Sequence, residues 1–214
     1  MAIQGIDVSS SQGTIHWDRV KGNGIEFVYI KATEGLQHDP NHEARVAYLR
    51  SNWPKIGQQG LLRGAYHFFR ADMDSELQAD VFLQTIADLD DADLPPMLDV
   101  ETSDQTSNDL IQLRVQRFLT KIEEETGTKP VIYTYASFWN EHLNNKFGGY
   151  PLWIAAYGPD KPTGPTVPKR KPTLPRGWTD WTFWQYASKG KVDGIATIVD
   201  LDLFKGTLEE LKNL

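Results

Sequence analysis

The chain has 214 residues, 40% hydrophobic and 24% charged, a balance that suits one folded domain burying about 70% of its unfolded surface and excludes a disordered or fibrous chain. It contains no cysteine, which removes disulfides, thiolate catalysis and cysteine-ligated zinc while leaving the redox compartment open. The formal net charge of −7 would repel a polyanion, so nucleic acid is not an expected partner, and no apolar run nears the roughly 18 residues of a membrane span, so no membrane partner is expected either.

The chain opens on Met-Ala-Ile-Gln-Gly-Ile-Asp, which has neither a basic leader nor an apolar stretch and reads directly as a first strand, Ile3–Ser9; no secretory signal is visible, and the route of export stays open. A strand at Ile25–Ala32 precedes a helix over Asn41–Gln59, with Ala44, Tyr48, Leu49, Trp53 and Ile56 on one side. Strand Leu62–Phe69 leads to a helix over Ser75–Leu89, with Leu77, Val81, Phe82 and Ile86 as its apolar face. Strand Pro96–Glu101 leads to a helix over Asn108–Thr126, started by Ser107 as an N-cap and stopped by Gly127 in the left-handed conformation, with Leu110, Leu113, Phe118 and Ile122 as its stripe. Strand Val131–Ala136 and a short helix after Ser137 follow. Strands Leu152–Tyr157, Thr182–Ala187 and Ala196–Leu203 have no good helix between them: Pro/Gly-rich Gly158–Gly177 fills one gap, and its Lys169-Arg170-Lys171 reads as a solvated connection. A last short helix starts at Thr207.

Alternating strands and helices are the sign of parallel β/α units, and eight strands in one chain of this size predict an α/β fold, a single-domain TIM-like barrel. The length lies near the lower limit for such a barrel, so fewer than eight helices are expected. No repeat, linker or second domain is visible.

Reacting groups in such barrels come from the carboxyl ends of strands. Asp7 ends the first strand, Asp99 and Glu101 the fourth, and Asp200 and Asp202 the eighth. Residues two apart share a strand face about 6.6 Å apart, so each pair points one way. Acids at strand ends also begin turns or cap helices. Asp99-Val100-Glu101, however, closes an otherwise apolar strand, where two buried charges cost several kcal/mol unless used or paired. Clustered carboxylates cannot all ionise, and one is driven to keep its proton near neutral pH. Glycoside hydrolysis needs such an acid on the leaving oxygen and a second group to stabilise the charge growing on the sugar. Glu101, with the longer reach, is the expected donor.

Aromatic residues supply the complementary signal, since sugar rings stack on them: Tyr66 and Phe68, Tyr133 and Tyr135, Trp153 and Tyr157, Trp184 and Tyr186. About half should instead fill the core, and Trp153, Tyr157 and Tyr186, nearest the strand ends, are the better candidates. The five histidines, His16, His38, His42, His67 and His142, lie at no metal-ligand spacing; His67, inside a strand, reads as a satisfied barrel histidine. A Mg²⁺ or Ca²⁺ held by the carboxylates is the alternative use of the acids.

In this order the motifs are specific. Gly5-Ile6-Asp7-Val8-Ser9 with Gln12-Gly13 and Trp17, Phe27-Val28-Tyr29-Ile30-Lys31-Ala32-Thr33-Glu34-Gly35, Gly64-Ala65-Tyr66-His67-Phe68, Leu98-Asp99-Val100-Glu101, Trp153-Ile154-Ala155-Ala156-Tyr157, Trp184-Gln185-Tyr186 and Val199-Asp200-Leu201-Asp202 together resemble the glycoside hydrolase family 25 lysozymes, across nearly the whole chain. The resemblance implies a flattened β/α barrel that cuts the β-1,4 bond between N-acetylmuramic acid and N-acetylglucosamine in peptidoglycan with retention. It carries the acidic cluster onto Asp7, Asp99, Glu101 and Asp200, with Glu101 as general acid. Substrate is expected to lie against Tyr66, Phe68, Tyr133, Trp153, Tyr157, Tyr186 and Asp202. No cofactor is expected, action is on the bacterial cell wall, and a monomer is the default.

Two chemistries fit the second group, an enzyme carboxylate as nucleophile or the substrate's own acetamido oxygen; the preferred one is substrate assistance, with Asp99 orienting the acetamido group. Residues 1–214 are expected to form the catalytic domain without a separate wall-binding domain. A non-catalytic glycan-binding barrel and a chitinase are the competing readings.

Overall fold

The computed structural model describes residues 2–89 and 92–214. Eight strands close into one barrel in sequence order: β1 (Ala2–Val8), β2 (Phe27–Glu34), β3 (Leu62–Phe68), β4 (Met97–Asp99), β5 (Val131–Tyr135), β6 (Leu152–Ala155), β7 (Phe183–Gly190) and β8 (Val199–Lys205). Six helices accompany them among the described residues: α1 (Trp17–Gly22), α2 (His42–Gln58), α3 (Ser75–Ala87), α4 (Asn108–Thr126), α5 (Ala136–His142) and α6 (Leu208–Lys212). All eight expected strands are present. The one-turn helix α1 and the 3₁₀ turn Ser10–Gln12, which Ser9 and Gln12 close as a capping box, were not foreseen, being too short for a periodic signal.

β1 through β7 pair in parallel, but β8 runs antiparallel to both neighbours. This corrects the expectation of uniform β/α units and explains the missing helix between β7 and β8, since an antiparallel pair needs only a reversing loop. Asp200 therefore lies at the start of β8 and Asp202 at its middle, not at its end. Asp200 still reaches the mouth, opposite Asp7 in the register.

Every strand alternates between two cores. Outward residues such as Ile6, Ile30, Leu98, Ile132 and Leu201 pack under the helices, while Phe27, Tyr29, Met97, Val131, Trp153, Phe183 and Phe204 fill the barrel. Two glycines make that filling possible. A Cβ on Gly5 would lie 2.2 Å from Cζ of Phe27, and one on Gly64 would lie 2.3 Å from Cε1 of Tyr29, so the β2 rings lie flat across β1 and β3. Leu94 and Leu211, with Leu208 beside them, belong to the same interior cluster, which closes the amino end of the barrel and leaves the other end open.

The helices depart from their expected faces in detail. In α4 the buried stripe is Ile111, Val115, Phe118, Leu119 and Ile122: Phe118 and Ile122 are buried as expected, whereas Leu110 and Leu113 are exposed and Ile111 and Val115 take their places. Ser107 makes no side-chain cap, whereas Gly127 adopts the left-handed stop at φ 68°. In α3 Leu77 is exposed, while Gln78 is buried because its side chain serves the Arg70 backbone and His67. The 158–177 connection is not merely solvated: the Arg170 guanidinium donates to the carbonyls of Ala156 and Tyr186 and stacks 4.6 Å from the Trp184 ring. It covers the outward aromatic face of β7 where a helix is absent.

Candidate active site

The inward positions at the open end are Asp7, Lys31, Tyr66, Asp99, Tyr133, Gln185 and Asp200. With Phe68, Glu101 and Tyr157 they line a cavity of about 270 Å³. Parity puts them there: Asp7 follows Gly5 on the inner face of β1, Asp99 follows Met97 on β4, and Glu101 continues that line just past the strand. A second hollow of about 480 Å³ adjoins the first, sharing Glu101, Tyr133 and Tyr157 and extending over Tyr135, Ala155 and Thr173. Glu101 therefore stands at the boundary between two compartments of one groove.

Burial sets the electrostatics. Desolvation lifts Asp7 from 3.8 to about 6, with the Gln185 amide pulling it back down. Asp200 rises to about 8, through burial and then the neighbouring charges of Asp7 and Glu101. Asp99 is pushed well up by burial and by Glu101, and Glu101 is itself raised by burial, with Lys31 opposing. Like charges held together in a low dielectric share fewer protons' worth of charge than they could carry in water. The site thus keeps at least one acid protonated near neutral pH, which is what proton donation to a leaving group requires.

Hydrogen bonds fix the walls. Gln185 Nε2 donates to Asp7 Oδ2 at 2.6 Å, and Gln185 Oε1 accepts from the hydroxyls of Tyr133, at 2.8 Å, and Tyr157. Lys31 Nζ donates to Glu34 at 2.7 Å and lies 4.4 Å from the Phe68 ring centre. Glu34 also pairs with Arg45, and Arg70 bridges from Glu34 to Asp104, tying together the rims of β2 and β3 and the loop after β4. Asp99 is 7% exposed, and its Oδ1 is buried without a hydrogen-bond partner among the described residues.

The model of glycosyl hydrolases family 25 matches residues 6–195. The chain belongs to that family. It is 40% identical over 216 residues to the uncharacterized protein YegX of Escherichia coli K12, spanning 98% of this chain and 72% of that one. It is 34% identical over 221 residues to lysozyme M1 of Streptomyces globisporus, spanning 98% and 70%. Among solved structures, the bacterial lysozyme of Streptomyces coelicolor superposes with a TM-score of 0.83 at 34% identity, over 99% of this chain and 96% of that one. The protein is accordingly a glycoside hydrolase with the family 25 barrel.

On this family 25 barrel the four acids expected to act, Asp7, Asp99, Glu101 and Asp200, come together around one cavity. Of the expected substrate contacts, Tyr66, Phe68, Tyr133 and Tyr157 line it. Three others do not. Trp153 is fully buried inside the barrel against Tyr29 and Phe183. Tyr186 points outward, accepting from the Thr166 N–H and donating to Gln4. Asp202 is buried one inward step below Asp200. Proximity to a strand end suggested Trp153 and Tyr186, whereas strand parity and depth decide exposure. The same parity could have found Lys31 and Gln185, which line the cavity but were not singled out: each is a polar residue in step with inward aromatics, Phe27 and Tyr29 on β2 and Phe183 on β7. His67 is satisfied, bonded to Thr33 at 2.7 Å and Gln78 at 3.1 Å and stacked on Phe118 under the helices.

Proposed function

We propose that this family 25 hydrolase is a lysozyme that cleaves the β-1,4 bond between N-acetylmuramic acid and N-acetylglucosamine in peptidoglycan, acting on the bacterial cell wall with retention. The observation that carries this reading is the place of Glu101, a partly buried acid with a raised pKa where two hollows meet. A sugar in each hollow sets the bridging oxygen beside the acid. The half-exposed faces of Tyr135 and Tyr157 offer stacking surfaces in the second hollow.

In this mechanism Glu101 gives its proton to the leaving oxygen while the 2-acetamido carbonyl oxygen attacks C1, and the sugar leaves as an alcohol. Asp99 accepts the acetamido N–H on its unpartnered Oδ1, a bond that favours its ionised form once substrate is bound, and the carboxylate then stabilises the oxazolinium that forms. Glu101, now a carboxylate, then takes a proton from water as the water oxygen attacks C1 and reopens the ring. Two displacements at C1 return the original configuration. Asp7 and Asp200 hold substrate hydroxyls and set the local charge.

The test is release of reducing ends from purified peptidoglycan by the wild type and Glu101→Gln, with EDTA present and the new terminal sugar identified by mass spectrometry. Muramic acid ends from the wild type, with a loss of about 10²-fold or more in the variant, are expected. Binding without release would instead make the barrel a glycan-binding module. Loss with EDTA alone would make the acids metal ligands, and preference for chitin oligomers would make the enzyme a chitinase. An accumulating glycosyl-enzyme adduct in intact-mass spectra would replace substrate assistance by an enzyme nucleophile.

A further inference from the structure

One carboxyl group in the barrel touches no solvent and has no part in the reaction above. Asp202 is 0% exposed, facing inward on β8 across from Gly5 of β1 and Gln185 of β7. Its Oδ1 accepts the Trp153 indole N–H at 3.2 Å. Its Oδ2 is buried with no hydrogen-bond partner among the described residues, and the neighbouring acid on the inner face is Asp7, one step toward the mouth from Gly5, which lies opposite Asp202 on β1, and whose charge acts on it. Two buried carboxylates on adjacent strands repel, and the repulsion is relieved when one of them holds a proton.

The surroundings decide which one. Asp7 lines the cavity, takes the Gln185 amide at 2.6 Å and feels the positive charge of Lys31. Asp202 has no ion pair with a cation among the described residues. The groups that act on it are the acids Asp7 and Asp200 and the Trp153 N–H, while the nearby hydroxyls of Tyr157 and Tyr186 are themselves held in the neutral form by burial. A charge on Asp202 would be dry, unpaired and next to two like charges, the costliest arrangement available.

We propose that Asp202 is a permanently protonated carboxylic acid beneath the cavity floor, which donates its proton as a hydrogen bond to Asp7 and thereby keeps Asp7 ionised and fixed in orientation. It is a positioning residue, not a substrate contact. A carboxylic acid kept neutral by an apolar setting is a strong donor at neutral pH, and Asp7 thus receives two donors, Gln185 from β7 and Asp202 from β8. Burial and then the charges of Asp7 and Asp200 raise Asp202 well above its usual range, in the sense this arrangement requires. The catalytic consequence rests on the reading of Asp7 as part of the reacting set, whereas the protonation of Asp202 does not.

The two parts are tested separately. Carbon-13 NMR of protein labelled at the aspartate carboxyl carbons, with the Asp202 signal assigned by its loss in Asp202→Asn, reads the protonation state in the intact wild type whether or not the protein turns over. A signal that stays at the protonated position from pH 4 to 8 is expected, and one that moves to the carboxylate position below pH 7 overturns the proposal. In activity, Asp202→Asn preserves both bonds, its amide donating to Asp7 and its carbonyl accepting from Trp153, so kcat should stay within about threefold and the acid limb of the pH profile within about half a unit. Asp202→Ala removes the donor, and its acid limb should move up by about one unit or more. An Asn variant with wild-type unfolding temperature that loses activity and shifts its acid limb as far as the Ala variant would show that the charge of Asp202, not its proton, is needed. If Glu101→Gln keeps full activity, the functional reading fails while the NMR result stands.

Discussion

Substituting Gly64 by alanine tests how tightly the barrel floor is packed beneath the catalytic layer. The position has no positive φ, so alanine meets no backbone strain, and the whole effect comes from the added methyl. That methyl would lie 2.3 Å from Cε1 and 2.6 Å from Cδ1 and Cζ of Tyr29. The ring cannot swing aside freely: its hydroxyl donates to the Pro95 carbonyl at 3.0 Å, and Trp153 and Phe183 meet it edge-on with centroids at 4.8 and 5.9 Å. Overpacking costs about 1–3 kcal/mol, and bending or losing a buried hydrogen bond adds about 1–3 kcal/mol. Gly64→Ala should therefore destabilise the fold by about 2–6 kcal/mol, or about 5–20 °C for a chain of this length. Urea and thermal unfolding followed by circular dichroism give the value, and a cycle with Tyr29→Leu isolates its cause. In the Tyr29→Leu background the alanine should cost less than about 1 kcal/mol, because the ring it strikes is gone. An equal cost in both backgrounds, or a single variant within about 1 kcal/mol of wild type, would refute the packing argument.

Gln185→Leu removes a donor from Asp7; a hydrogen bond to a charged group is worth about 1.5–3 kcal/mol, so Asp7 should ionise about 1–2 units above its present value. The acid limb of the rate profile should move to higher pH, and an unmoved limb would mean that turnover does not use the Asp7 charge. His67 is held down to about 3 by burial, below its usual 6.5, so the unfolded chain takes up the proton first and stability present above pH 6.5 is lost as pH falls toward 3. Asp200, raised to about 8, has the opposite sign: its contribution is full below 3.8 and fades as pH rises through 8. Between pH 7 and 4 the wild type should lose about 3 kcal/mol that His67→Gln does not, and parallel curves for the two proteins in pH-dependent urea unfolding would count against this account. Arg170→Ala should cost about 1–2 kcal/mol by freeing two carbonyls and should speed protease cutting within residues 158–177, with an unchanged cutting rate as the contrary result.

Much of the architecture was legible because strand alternation is a local signal. Phe27, Tyr29 and Lys31 against Val28, Ile30 and Ala32 separate the two faces of β2 before any contact is known, and Asp7, Asp99 and Glu101 fall at strand ends in the same way. The direction of β8 was not legible, because Val199–Lys205 carries the same alternation whichever way it runs and only its pairing with β1 and β7 settles the matter. Depth was equally hidden. Asp200 and Asp202 share one face, yet the first lines the cavity and the second lies sealed below it, a difference set by barrel stagger and the rings of Trp153 and Phe183. The first half of the α4 stripe was missed for a related reason: Leu110 and Leu113 obey helical spacing as well as Ile111 and Val115 do, and only tertiary packing selects between them, whereas Phe118 and Ile122 are buried as expected.

The reversed last strand also decides where the chain can be held. β1 begins, and β8 finishes, at the closed end of the barrel, with Ala2 paired to Lys205 and α6 folded beneath. An attachment at either end of these residues leaves from the side opposite the groove. A protein tethered by its first or last residue to a bead, a carrier or a second module would thus turn its open face outward, and a glycan strand could approach without passing the tether.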